Sequence, residues 1–190
     1  MVEPLLDLDH QGKVIARVSV NPEDIINKVE FGTSRLKGRI DAINKLKEAG
    51  YEVGIIIAPV IFVENWKEQY LELIQRLNSK LSAEVKKDVF FEIIFMTYSY
   101  VHTKINEEAF PNAINLYNKE IMTGRGKGKY MYKNEYRKDI NFIIHENSTL
   151  LKTESLIILV PTFLPLTALI KFSGSKPFVM TVSKSDRLII

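Results

Sequence analysis

RVSVNPEDIINKVEFGTSRLKGRIDAINKLKEAGYEVGIIIAP, residues 17–59, is the stretch from which the fold is read. It continues a β-branched run that opens at Val14, so a strand is expected over Val14–Val20. Asn21-Pro22 closes that strand, because proline donates no ladder hydrogen bond and restricts the residue before it. Pro22-Glu23-Asp24 opens a short helical turn through Asn27 with its acids at the positive end. Leu36, Ile40, Ile43 and Leu46 then recur at helical spacing, while Lys37, Asp41, Asn44, Lys45 and Lys47 face water. Thr33 or Ser34 is the expected N-cap and Gly50 the residue just past the helix end. Val53–Ala58 is apolar without alternation, the pattern of a strand covered on both faces in a parallel sheet, and Pro59 is expected to end it.

Outward from this βαβ unit the same grammar continues. A helix is expected from about Asn65 to Leu81, with Trp66, Tyr70, Leu73, Ile74, Leu77 and Leu81 on one face. Ser82–Asp88 reads as a turn and Val89–Ile94 as the next strand. The order β-α-β-α-β predicts a parallel α/β layer with right-handed crossovers, at most part of a barrel. Beyond Phe95 regularity falls: Met96–Thr103 is polar and aromatic, and Asn106–Phe110 reads as a helical turn. Gly124-Arg125-Gly126-Lys127-Gly128 is a loop tip flanked by Ile121-Met122 and Tyr130-Met131-Tyr132, hence a hairpin at about 119–133. Tyr136, Ile140, Ile143 and Ile144 mark a third helix.

The 190-residue length suits one domain with a substantial core. The formal charge of +3 names no partner, but its distribution is uneven. Lys119–Lys138 holds seven basic residues against two acids. The chain has no cysteine, which excludes disulfides, thiolate zinc sites, cysteine nucleophiles and cysteine-ligated iron–sulfur clusters within it. MVEPLLDLDHQGK lacks a basic region followed by an apolar one, so no secretory signal is read and the cytoplasm is the expected compartment.

The hairpin tip combines backbone freedom with dense positive charge, which suits approach to a phosphodiester backbone. Its tyrosines offer faces on which a base can stack, or else they brace the strands. Gly32-Thr33-Ser34 is more simply a helix cap than an anion site. His10, His102 and His145 have no ligand-like spacing, so no metal site is expected. Asp24, Glu64 and Glu92 do not converge by spacing into an acid–base set, and no catalytic residue is assigned.

The tail departs from all this. LIILVPTFLPLTALI, residues 156–170, is nearly continuous apolar sequence, short for a membrane span and interrupted by Pro161 and Pro165. It admits three readings: added strands of the domain, sequence beyond a disrupted reading frame, or a membrane-associated segment.

Several linked motifs resemble one family. Arg17-Val18-Ser19-Val20-Asn21, Phe31-Gly32-Thr33-Ser34, Arg39-Ile40, Ala49-Gly50-Tyr51 and Ile57-Ala58-Pro59 resemble, in order and spacing, the C-terminal half of spore photoproduct lyases. Trp66, Tyr70 and Gly128-Lys129-Tyr130-Met131-Tyr132 continue the resemblance, which covers roughly His10–His145. That family implies a partial (β/α) barrel of the radical S-adenosylmethionine type and repair of the ultraviolet-induced thymine dimer in spore DNA. By position, it implies Ser19 at the S-adenosylmethionine carboxylate and Ala58 near the same cofactor. It also implies a basic hairpin that grips the duplex through Arg125, Lys127, Lys129 and Tyr130.

Three departures accompany the resemblance. The family's Cys-x3-Cys-x2-Cys cluster motif has no counterpart, so ligands for a [4Fe-4S] cluster are absent. The family sets an aromatic residue between the hairpin arginine and the first glycine, whereas Arg125 abuts Gly126. Nothing after His145 resembles the family, which favours a disrupted frame for the tail. The expectation is therefore a truncated, family-derived fragment over 1–145 with a divergent apolar tail over 146–190. It is not catalytic alone, and its partners are DNA and a separate chain carrying the N-terminal half. The alternatives are a stand-alone nucleic-acid-binding module and a non-functional remnant.

Overall fold

The computed structural model describes residues 2–147, 156–159 and 188–189. A short helix α1 (Glu3–Leu6) leads into strand β1 (Val14–Val20), followed by helices α2 (Glu23–Lys28) and α3 (Leu36–Glu48) and strand β2 (Glu52–Val60). Helices α4 (Trp66–Lys80) and α5 (Ala83–Asp88) precede strand β3 (Phe90–Phe95). A short strand β4 (Thr97–Ser99), helix α6 (Tyr100–Ala109), the hairpin β5 (Met122–Gly126) and β6 (Lys129–Tyr132), and helix α7 (Asn134–Asn147) complete the continuous part. Two further strands are β7 (Leu156–Leu159) and β8 (Leu188–Ile189).

The strands β7-β3-β2-β1-β8 form one sheet whose neighbours all run parallel. The rest of the apolar tail lies outside the described residues. A second, antiparallel sheet is ordered β4-β6-β5.

Because side chains alternate along a strand, register assigns each face. Ala16, Val20, Ile55, Ile57, Phe91 and Ile93 join one apolar core with Ile40, Ile43 and Leu46 of α3 and Leu73, Ile74 and Leu77 of α4. Ile140 and Ile144 of α7 belong to the same core. The opposite face carries Arg17 and Ser19 of β1, Gly54, Ile56 and Ala58 of β2, and Phe90 and Glu92 of β3, aligned as Arg17↔Gly54↔Phe90 and Ser19↔Ile56↔Glu92.

Helix α3 ends in a Schellman motif: the Tyr51 amide donates to the Leu46 carbonyl and the Gly50 amide to that of Lys47, with Gly50 at φ +86°. Four boundaries differ from the sequence reading. The N-cap of α3 is Arg35, without a side-chain capping bond, because Arg39 and the Glu30 carbonyl engage the Thr33 hydroxyl instead. Strand β2 continues through a cis Ala58–Pro59 bond to Val60, where its register with β3 shifts. Within Ser82–Asp88, read as a turn, Ala83–Asp88 is a helix, capped by the Ser82 hydroxyl, which accepts from the Val85 amide at 3.2 Å. Residues 97–109 are regular, forming β4 and α6, because β4 gains a pairing partner in β6 that is distant in sequence.

Candidate functional site

The carboxyl ends of β1 and β2 carry a connected polar cluster. Ser19 opposes Ile56 on the open face, so Ala58 lies two residues further along the same face of the adjacent strand. Arg39 reaches this edge from α3. Its Nη1 donates to the Ser19 carbonyl oxygen at 3.1 Å and to the Ser19 Oγ at 3.3 Å. Its Nη2 donates to Glu30 Oε2 at 2.5 Å and to Thr33 Oγ1 at 2.8 Å, and its Nε donates to the Ser34 carbonyl at 2.8 Å. Glu30 Oε1 in turn accepts from Asn21 Nδ2 at 2.6 Å, and the same Nδ2 donates to the Pro59 carbonyl at 3.2 Å. A continuous hydrogen-bonded path thus joins Ser19 to the carbonyl of Pro59, the residue after Ala58. Asn21 is fully buried, and its Oδ1 has no partner among the described residues.

A second charged pair lies deeper on the open face. Arg17 of β1 meets Glu92 of β3 across the intervening β2. Gly54, on the strand between them, leaves room for Phe90, whose ring occupies the space a β-carbon there would need, with its nearest atom 2.3 Å from that position. The Arg17 guanidinium lies 6.0 Å from the Phe90 ring centroid. Burial lowers the pKa of Arg17 from its ordinary value, and Glu92 is only 1% exposed. The pair therefore stands in a weakly solvated setting where each charge depends on the other.

Beside this edge opens a cleft of about 820 Å³. Lys28 at the end of α2 and Glu30, Phe31 and Thr33 of the loop after it line one part of the cleft; Met96, Tyr98, His102 and Phe110 are among the other lining residues. Phe31 and Phe110 stack with centroids 6.1 Å apart, although both are more than half exposed.

The basic hairpin folds against this rim. Its turn residues Lys127 and Gly128 have φ values of 51° and 66°, the double left-handed geometry that matches strand twist in a two-residue hairpin. Pairing passes from Gly124↔Tyr130 to Gly126↔Lys129, leaving Arg125 as the extra residue of a bulge. The Tyr100 amide donates to the Gly128 carbonyl at 2.9 Å and ties the turn to α6. Arg125 and Lys127 are exposed and Lys129 is half-buried. Tyr130 is also half-buried, packed with Tyr98 and Tyr117 in an aromatic trio whose centroids are 4.9 to 6.0 Å apart. On α7, Arg137 lies 5.4 Å from the Phe95 ring centroid. Burial first, and then the like charge of Arg125, lowers its pKa from the ordinary value.

Of the residues expected at a site, Ser19 and Ala58 share one edge, while Arg125, Lys127, Lys129 and Tyr130 share the hairpin. The sequence reading gave Asn21 and Arg39 only as motif residues, with no place at a site, and did not single out Glu30. A signal existed: Arg39 interrupts the apolar stripe of α3, three residues after Leu36. A cation at such a position is buried and must find partners. No group of acidic or histidine side chains able to hold a metal occurs among the described residues. Among them, no helix is long and apolar enough to cross a membrane.

The class this fold and site define is an α/β protein with a polar cluster at the carboxyl ends of parallel strands, the position where such sheets take their ligands. A family model described as spore photoproduct lyase matches residues 1–157. The chain belongs to the spore photoproduct lyase family. The match reaches beyond the 10–145 span read from motifs, taking in the first residues and twelve past His145, where recognisable motifs give out but family character does not.

Among curated relatives, the spore photoproduct lyase of Bacillus subtilis (strain 168) is 35% identical over 138 residues, which is 70% of this chain and 40% of the relative. That of Geobacillus sp. (strain Y412MC61) is 32% identical over 143 residues, 73% of this chain and 42% of the relative. This chain thus spans about two fifths of the relatives it matches. Among solved structures, spore photoproduct lyase complexed with dinucleoside spore photoproduct superposes with a TM-score of 0.72 at 28% identity, covering 84% of this chain and 48% of that one. A mutant with bound AdoMet and dinucleoside spore photoproduct gives 0.70 at 31% identity, covering 77% and 44%.

Proposed function

We propose that this chain supplies one wall of an S-adenosylmethionine (AdoMet) pocket and the DNA-gripping hairpin of a spore photoproduct lyase-like protein, acting on the ultraviolet-induced thymine dimer of spore DNA in the cytoplasm. The observation that carries the reading is the placement of Ser19 and Ala58 on one face of adjacent strand ends, linked through Arg39, Glu30, Asn21 and Pro59. In this reading the sheet is part of a (β/α) barrel of the radical AdoMet type.

The donor set fits the amino-acid end of AdoMet. The exposed Ser19 hydroxyl receives a guanidinium hydrogen bond on its oxygen, which leaves its own proton to donate to a carboxylate. Ala58 presents only a methyl group, leaving room for the ligand against β2. When bound and reduced, AdoMet supplies a hydrogen-abstracting carbon radical. The four-iron cluster that would deliver the electron does not fit these residues: with no cysteine present, no thiolate ligates it, and no step is derived through it. Catalysis in this reading needs cysteines from outside these 190 residues, as on a separate chain carrying the N-terminal half, and the chain is not catalytic alone.

On the DNA side, Arg125, Lys127 and Lys129 are assigned to phosphates and Tyr130 to the lesion, with the Tyr98–Tyr117–Tyr130 trio fixing the strand that carries it. The test has two arms. Calorimetry of the full chain should detect AdoMet binding that Ser19→Ala weakens about 10-fold or more, the worth of a hydrogen bond to a charged group. Binding to duplex DNA should be salt-dependent and lost in Lys127→Glu plus Lys129→Glu. AdoMet binding indifferent to Ser19→Ala, or salt-insensitive DNA binding, overturns the corresponding assignment. A stoichiometric four-iron cluster after anaerobic reconstitution of this chain alone overturns the need for outside cysteines.

A further inference from the structure

We infer that Arg39 is a positioning residue for the ligand carboxylate: it fixes the Ser19 hydroxyl as a donor aimed out of the sheet, acting from behind the site without touching the ligand. This rests on the assignment of Ser19 to the AdoMet carboxylate made above. A free serine hydroxyl rotates among staggered positions and donates along any of them. Here Arg39 Nη1 donates to both oxygens of Ser19, at 3.1 Å to the carbonyl and 3.3 Å to Oγ, which occupies a lone pair of the hydroxyl and disfavours rotamers that point its proton at the guanidinium. The hydroxyl proton is thereby directed away from Arg39, and because Ser19 is exposed it is available to a ligand on the open face.

Arg39 is itself over-determined. It is 6% exposed, and its Nε and Nη2 are held by the Ser34 carbonyl, the Thr33 hydroxyl and the Glu30 carboxylate. Glu30 is braced in turn by Asn21. The rigid fork of arginine suits this role, because five donors in one plane serve the loop and the strand together; a lysine at position 39 offers three donors about a single nitrogen. The guanidinium charge behind Ser19 is largely answered by Glu30, so its contribution is orientation more than attraction.

The experiment compares two ligands, AdoMet and its decarboxylated analogue, by calorimetry on the full chain and its variants. The wild type should favour AdoMet. Arg39→Lys should lose most of that preference, about 10-fold, while affinity for the analogue stays within about 2-fold. Ser19→Ala should lose the same preference, and the double variant should lose no more than the worse single one, as expected for residues acting as a unit. Should Arg39→Lys fail to fold by circular dichroism, Glu30→Gln decides: an amide there turns a donor toward Arg39 or toward Asn21, and the preference should fall about 3-fold. A preference lost in Ser19→Ala but kept in Arg39→Lys or Glu30→Gln overturns the positioning role alone. Equal weakening of both ligands in Arg39→Lys also overturns it, since that marks general loosening. A wild type that binds neither ligand overturns the AdoMet reading and this inference together.

Discussion

The hydroxyl of Tyr132 accepts a hydrogen bond from the Phe62 amide at 3.3 Å, and the two rings meet edge to face with centroids 4.4 Å apart. Tyr132 ends the hairpin and Phe62 follows β2, so this contact fastens the basic arm to the end of the central strand. Tyr132→Phe should leave the Phe62 amide unpaired in the interior and cost about 1–3 kcal/mol. Tyr132→Ala should cost about 3–5 kcal/mol by adding a cavity. Urea denaturation followed by circular dichroism checks both values and their order.

The Arg17–Glu92 pair makes a different prediction. Glu92→Ala strands a cation that is 13% exposed and should cost about 3–5 kcal/mol. Replacing both partners, as Arg17→Met with Glu92→Leu, should cost far less and is close to neutral if the new side chains pack beside Phe90. A double variant as unstable as the single one would show that the pair contributes more than mutual compensation.

Alkaline stability follows from two phenols. Tyr70 is fully buried, with its hydroxyl accepting from the Ile61 amide at 2.9 Å. Burial raises the pKa of Tyr70 and of Tyr132 above the ordinary value of 10.0. Above pH 10 the unfolded chain releases these protons while the native state keeps them, so stability is full below that pH and falls as pH rises above it. The slope is about 1.4 kcal/mol per pH unit for each tyrosine. Tyr70→Phe should remove one of the two contributions, and denaturation midpoints measured between neutral pH and pH 11 will reveal the shallower slope.

Charge and turn geometry separate at Lys127. Its φ of 51° is strained for lysine and ordinary for asparagine. Lys127→Asn should therefore preserve or slightly raise hairpin stability, by a few tenths of a kcal/mol, while weakening DNA binding and lowering its salt slope by about one ion. Loss of folding together with binding would mean the lysine has a structural contact at the turn.

Much of this architecture was legible in the sequence because it depends on local periodicity. The run Val14–Val20 and the helical stripe Leu36, Ile40, Ile43 and Leu46 each report one buried face. Helix α6 was legible only in part, since none of its residues is buried and no apolar stripe marks it. Strand β4 escaped notice because a three-residue strand exists only through pairing with β6, some thirty positions away. At the site, Ser19 was identified by family resemblance and not by chemistry, as an exposed serine in a strand carries no signal. Arg39, Arg17 and Glu92 did carry one, being charges inside apolar patterns, but the partner of each is set by register and loop path rather than by spacing.

The path from Ser19 through Arg39, Glu30 and Asn21 to Pro59 is drawn entirely from residues 19–59. Short sequence separations close early and at small entropic cost. The network borrows no residue from the hairpin, so substitutions in the basic arm leave every one of its hydrogen-bonding partners in place.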